Sequence, residues 1–163
     1  MGCKPCSITT GFAGAGAFSD GKLSLSPEVG GTLPDILGYE KAEELIREAD
    51  SIYLKFGADE KVYGLDDMQA IEDIRAKSIR ANLKLIECPI RHLGTEEGYK
   101  IYTRLQKHLE ETNVEIRFMT MVQDILIEDG KAVGVVTEKG ETFYAPEIVA
   151  GVGREGSEWF SHI

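Results

Sequence analysis

Three groups of residues in this sequence could do chemistry. The first is Cys3-Lys4-Pro5-Cys6, a Cys-x-x-Cys pair. In such pairs the first thiolate is a nucleophile towards disulfides, and the same spacing supplies half of a zinc site. No second Cys/His pair stands at ligand spacing, so three readings remain open: redox thiols, a metal half-site, or two ordinary cysteines. The second group is a pair of glycine-rich stretches. "GFAGAGAFSDGKL" (11–23) carries Gly11, Gly14 and Gly16 in Gly-x-x-Gly-x-Gly order. "GVGREG" (151–156) carries Gly151, Gly153 and Gly156 in Gly-x-Gly-x-x-Gly order. Glycines at such spacing let backbone N–H groups approach a phosphate without side-chain collision. The third is His92 in "IRHLGTE", whose imidazole titrates near neutral pH. Against a proton-transfer role stands a structural reading, a histidine held by hydrogen bonds.

Neither glycine stretch forms a self-sufficient phosphate site. The first follows no apolar strand, and Gly21-Lys22 lacks the Ser or Thr of a P-loop. It reads either as a loose tail or as a loop lining a cofactor, and Phe12 and Phe18 favour order. The second follows an apolar run, but no acidic residue follows at ~20 positions to bind a ribose.

The elements that must position these residues can be read from periodicity. Residues 1–33 read as loop with one short extended piece. A helix is expected over 39–56, where Ala42, Leu45, Ile46, Ala49, Ile52, Tyr53 and Phe56 recur at three- and four-residue steps and Gly57 follows as a stop. A second is expected over 66–83, with Asp66 and Asp67 at its positive end. A third runs from Thr95 as N-cap to about residue 111, with Glu96 and Glu97 in its first turn. Residues 84–91 look extended, bent at Pro89. "VEIRFMT" (114–120) alternates as a strand. In 121–145 the turn signals Asp129-Gly130 and Lys139-Gly140 separate three short antiparallel strands. "EIVAG" (147–151) reads as a buried strand, and a helix returning to a strand implies a parallel sheet.

Composition bounds the function classes. The chain has 163 residues, 42% hydrophobic and 28% charged, with a net charge of −10. No apolar run approaches the ~20 residues of a membrane span, and no apolar signal core opens the sequence. A cytoplasmic protein without a membrane partner is expected. No basic cluster offsets the acidic balance, so a nucleic acid partner is not expected. Three cysteines, Cys3, Cys6 and Cys88, are too few for a disulfide framework.

Taken together, "CKPCSITTGFAGAGAFSDGKLSLSPEVGG", "IYLKFGADEKVYG", "IRHLGTE", "VEIRFMTMVQDILIEDGKAVGVVTE" and "VAGVGREGSEW" resemble the uncharacterised FAD-dependent dehydrogenases of the glutathione-reductase-like flavoprotein superfamily. The resemblance covers nearly the whole chain. It implies an α/β fold, α+β in part: a fragment of an FAD-binding domain with parallel strands, a three-stranded β-meander and a helical insertion. The implied divisions are 1–33, a glycine-rich cofactor-facing loop; 34–92, the helical insertion; and 93–163, part of the FAD-binding domain. The family's N-terminal Gly-x-Gly-x-x-Gly unit has no counterpart here, so the chain looks like an internal segment, not expected to bind FAD alone.

By the same resemblance, Gly11, Gly14, Gly16, Ser19, Asp20 and Lys22 fall in the loop against the flavin or pyrophosphate. Val122 takes the position whose backbone meets the adenine, and Gly153 and Arg154 form a turn that closes over the cofactor. The implied chemistry is hydride transfer through the flavin, with NAD(P)H a candidate donor and the small-molecule substrate open. Two other readings are kept: a non-catalytic module that self-associates into a homo-oligomer, and a thiol redox protein using Cys3 and Cys6.

Overall fold

The computed structural model describes residues 8–163. Cys3 and Cys6, and with them the thiol readings, lie outside the described residues. The chain divides into two units: Ala15–His108, and Leu109–Ile163 together with the stretch that ends at Gly14.

The Ala15–His108 unit opens with a 3-10 turn, Gly14–Phe18, and then the short strand β1 (Lys22–Ser24), the one extended piece of the N-terminal loop. Three helices follow: α1 (Leu33–Leu37), α2 (Tyr39–Lys55) and α3 (Met68–Arg80). Strand β2 (Ile90–His92) then leads into α4 (Thr95–Glu111). β1 and β2 pair antiparallel, with Lys22 opposite His92 and Leu23 opposite Arg91. Tyr63 adds a bridge to Ile90 on the other side.

The core of this unit is small. Ala58, Leu93 and Ile101 are buried together, packed by Leu23, Tyr53, Leu54 and Phe56. α2 delivers Tyr53 from its expected stripe and Leu54 from beside it, while Ile52 of that stripe stands 46% exposed, and α4 delivers Ile101. Each full burial of an Ile-sized side chain contributes about 2 kcal/mol.

The helix ends explain their own boundaries. Asp67 caps α3, its carboxylate accepting from the Ala70 N–H at 2.9 Å. α4 starts one residue earlier than the Thr95 cap expected: the Gly98 N–H bonds to the Gly94 carbonyl at 2.9 Å, so Gly94 holds the cap position. Its φ of +71° is costly for any residue with a Cβ.

The strongest tie in the unit is ionic. Arg91 is only 4% exposed. Its Nε and Nη2 bind the two carboxylate oxygens of Asp50 at 2.5 and 2.8 Å, and Nη1 donates to the Asp59 carbonyl. This fork clamps β2 to α2 and to the segment that follows it. Asp50 holds the guanidinium pKa above its usual value, against the opposing effect of burial.

The other unit is built on an antiparallel sheet in the order β3 (Val122–Glu128), β4 (Lys131–Thr137), β5 (Thr142–Tyr144). Asp129 and Gly130 have φ of +50° and +76°, the paired left-handed conformations of a type I′ turn. A register shift between Val122 and Asp124 leaves Gln123 out of the ladder. Its carbonyl instead accepts the Trp159 indole N–H at 2.7 Å, anchoring the short helix α5 (Ser157–Phe160).

Two sequence expectations need correction. Neither 114–120 nor 147–151 is a strand, and among the described residues every strand pairing is antiparallel, so the expected parallel strands are not present. Both segments carry the apolar pattern of strands, but a strand needs a neighbour for its N–H and C=O groups. Met119 also breaks the first run with φ of +51°. Side chains expected to face a buried sheet stand exposed: Val114 by 45%, Phe118 by 51% and Val149 by 96%.

Candidate functional site

The nine residues singled out for cofactor contact fall into two groups, one in each unit. Gly11, Gly14, Val122, Gly153 and Arg154 belong with the three-stranded sheet. Gly16, Ser19, Asp20 and Lys22 belong with the helical unit.

In the sheet unit the two glycine-rich stretches are tied to each other. Gly11 and Gly14 end a tight turn, closed by the Gly14 N–H donating to the Gly11 carbonyl at 3.0 Å. Thr9, just before it, donates its hydroxyl to the Glu155 carboxylate at 2.9 Å, across 146 positions of sequence. Glu155 lies inside "GVGREG", next to Arg154. Ser157 donates its hydroxyl to the Arg154 carbonyl at 2.8 Å and so fixes the end of that turn. Gly156 is required by space, since a Cβ there would lie 2.6 Å from the Val152 Cβ. Gly11 and Gly153 face open space instead, with nothing within 4 Å of where a Cβ would stand. Val122 lines a hollow of about 330 Å³ with Glu115, Arg117, Thr120, Thr137 and Phe143. The Arg117 guanidinium lies 4.3 Å from the centre of the Phe143 ring.

In the helical unit the loop residues converge on His92. The Gly94 N–H bonds to the Asp20 carbonyl at 3.1 Å and the Leu93 N–H to the Gly21 carbonyl at 2.8 Å, continuing the β1–β2 pairing. Gly21 is the residue that permits this approach: a Cβ on it would meet the Leu93 Cβ at 2.9 Å. Ser19 accepts from the Gly21 N–H at 3.0 Å and holds the bend. Gly16 lies against the Tyr102 hydroxyl, 3.3 Å from where its Cβ would be. Burial, aided by the Tyr53 hydroxyl, pushes the Tyr102 phenol up to about 12.

The result is a charged trio. Asp20 receives Lys22 Nζ on one oxygen at 2.8 Å and stands 2.8 Å from His92 Nε2 on the other. Lys22 first, then His92, hold the Asp20 carboxyl down at about 2. The Tyr63 ring meets the imidazole edge-on at 6.5 Å between centres, and Lys61 covers Tyr63.

Sequence reasoning named Asp20, Lys22 and His92 separately and did not join them. Thr9, Glu155 and Trp159 were not singled out at all; the signal for Trp159 is weak, a lone indole after a glycine turn. Among the described residues there is no group of three potential metal ligands, and no helix is long and apolar enough to cross a membrane. Cys88 is a free thiol, half-buried.

Helices, short antiparallel sheets, glycine turns and an exposed arginine are compatible with many nucleotide-binding proteins. The family comparison is narrower: the model for pyridine nucleotide-disulphide oxidoreductases matches residues 68–161, more than half of the chain. The chain belongs to that family, in agreement with the flavoprotein resemblance read from the sequence.

Among curated proteins it is similar to the tRNA uridine 5-carboxymethylaminomethyl modification enzyme MnmG of Streptococcus pyogenes. The serotype M5 (strain Manfredo) and serotype M4 (strain MGAS10750) proteins are each 29% identical over 156 residues, covering 94% of this chain. The chain spans 20% of the length of these relatives.

Proposed function

We propose that this chain is a segment of an FAD-dependent oxidoreductase, a dehydrogenase passing hydride through the flavin, and that it lines the cofactor without holding it alone. The observation that carries the reading is the tie between the two glycine-rich stretches through Thr9 and Glu155. It puts the open backbone at Gly11 and Gly153 in the same unit as the Arg154 cation.

That donor set fits a dinucleotide. A pyrophosphate needs N–H groups that side chains do not obstruct and a fixed positive charge. Arg154 is exposed and forms no ion pair among the described residues. The hollow beside Val122, with a guanidinium stacked on Phe143, suits a flat ring. Gly11, Gly153 and Arg154 would hold the phosphates, Gly14 would keep the first turn closed, and Val122 would meet the adenine. For Gly16, Ser19, Asp20 and Lys22, in the helical unit, cofactor contact is proposed on the family resemblance alone. FAD supplies reversible hydride storage when bound. NAD(P)H is the proposed electron donor, and the substrate is a small molecule.

The apolar runs 114–120 and 147–151, unpaired among the described residues, are where strands of a larger protein would add. Their exposure supports flavin binding by a larger domain. The name of the relatives refers to tRNA; for this segment, the charge of −10 supports a role without nucleic acid contact. Cytoplasmic location belongs to the same proposal.

The test is Arg154→Gln in the protein expressed from its full natural coding sequence, titrated with FAD. A charged hydrogen bond contributes about 1.5–3 kcal/mol, so affinity should weaken about ten- to a hundredfold. Unchanged affinity removes Arg154 from the site, and a protein that takes up no flavin overturns the reading.

A further inference from the structure

Strand β1 leaves one edge of its sheet without a partner. Its inner edge is paired with β2: Leu23 stands opposite Arg91, the Leu93 N–H bonds to the Gly21 carbonyl at 2.8 Å, and the Leu25 N–H bonds to the Pro89 carbonyl at 2.8 Å. In an antiparallel ladder alternate residues turn their N–H and C=O groups to opposite sides. Gly21, Leu23 and Leu25 face β2, so Lys22 and Ser24 direct theirs away from it. β2 shows the same alternation: Ile90, opposite Ser24, exchanges both of its bonds with Tyr63 on the far side. Among the described residues no strand or bridge meets the outer edge of β1. Lys22 and Ser24 are exposed. Beside them lies an open hollow of about 230 Å³, walled by Leu23 and Leu25 of β1 and by Ile46, Ala49 and Tyr53 of α2. An exposed edge of this kind is a template for another strand.

The edge fits a second copy of itself. Only the outward residues can pair, which leaves three two-fold registers within the strand. Lys22 opposite the partner's Lys22 brings like charges together. Ser24 opposite the partner's Ser24 also requires Ser26 opposite the partner's Lys22, and Ser26 is only 7% exposed. The remaining register sets Lys22 opposite the partner's Ser24, and Ser24 opposite the partner's Lys22. Each of these two pairs exchanges two backbone hydrogen bonds, and the axis passes through Leu23. Leu25 then stands opposite the partner's Gly21, which has no side chain to obstruct it. Asp20, 2.8 Å from the Lys22 ammonium, offsets the charge that each lysine brings to the seam. We propose that β1 is a self-association strand: two copies join their β1 edges antiparallel about an isologous two-fold axis, making one sheet in the order β2–β1–β1–β2. This goes beyond the FAD reading and does not depend on it.

The test is sedimentation of the protein from its full natural coding sequence over a concentration series, with Ser24→Pro beside the wild type. Proline removes the Ser24 N–H, which the β1–β2 ladder does not use, and an edge strand tolerates proline at such an outward position. The wild type should be a dimer that dissociates on dilution. Ser24→Pro lacks two of the four intermolecular bonds, so its dimer should be weaker by about tenfold or more, with an unchanged far-UV dichroism spectrum. A wild type that is monomeric at every concentration, or a dimer indifferent to Ser24→Pro, overturns the proposal. Amide exchange of the wild type is the readout if the variant fails to fold. The Lys22 and Ser24 amides should gain protection as the dimer forms. Exchange at both that stays fast in a dimer overturns the proposal. Protection of both in a monomer means that another part of the protein covers the edge, and overturns it equally.

Discussion

Asp20 shows how little of a site a single residue type reveals. In sequence it is one acid among 28 Asp and Glu residues, beside a glycine and near a lysine. Its meaning comes from His92, 72 positions away, which no local pattern connects to it. The pair has a titration signature. Asp20 sits at about 2, below its ordinary 3.8, chiefly through the Lys22 ammonium and secondly through His92. A carboxyl with a lowered folded value adds stability that is fully present above the unfolded value and is lost as pH falls through the folded one. The loop from Ser19 to Lys22 should therefore hold down to about pH 4 and loosen between about 4 and 2. Carboxyl-carbon shifts of Asp20 across that range should show the low midpoint, and Lys22→Met should raise it. A midpoint near 4 in the wild type would contradict the geometry. Arg91 is the buried counterpart. Replacing it by Ala leaves Asp50 charged and unpaired in a site that is nearly closed, which costs about 3–5 kcal/mol. Urea denaturation measures that loss, and a change under 1 kcal/mol would mean that the Asp50 pair does not carry the joint.

At the scale of elements, what repeats locally was legible. α2, α3 and α4 stand within two or three residues of their expected ends, because three- and four-residue apolar spacing and a carboxylate at or just before the first turn are local causes. Asp129-Gly130 was legible for the same reason, since few residue pairs take two positive φ angles. What the sequence did not disclose depends on partners. The runs 114–120 and 147–151 have strand composition but no strand beside them, and alternation cannot supply the missing N–H and C=O groups. Gln123 illustrates the converse. Its displacement from the β3–β4 ladder was invisible in the sequence, yet it frees the carbonyl that Trp159 binds, and so anchors the helix after the glycine turn.

Among the described residues the buried core is small, and large apolar side chains stand exposed along the whole chain, from Ile8 to Ile163. Its family covers 68–161, and its relatives are about five times its length. The FAD reading is therefore a statement about two glycine-rich segments brought together by Thr9 and Glu155, and it can be measured at those segments. Amide hydrogen exchange of the protein from its full natural coding sequence, with and without FAD, tests it most directly. Exchange should slow on FAD addition at both 8–14 and 151–157. Exchange at both segments that is indifferent to FAD, in a protein shown to bind it, would contradict the account.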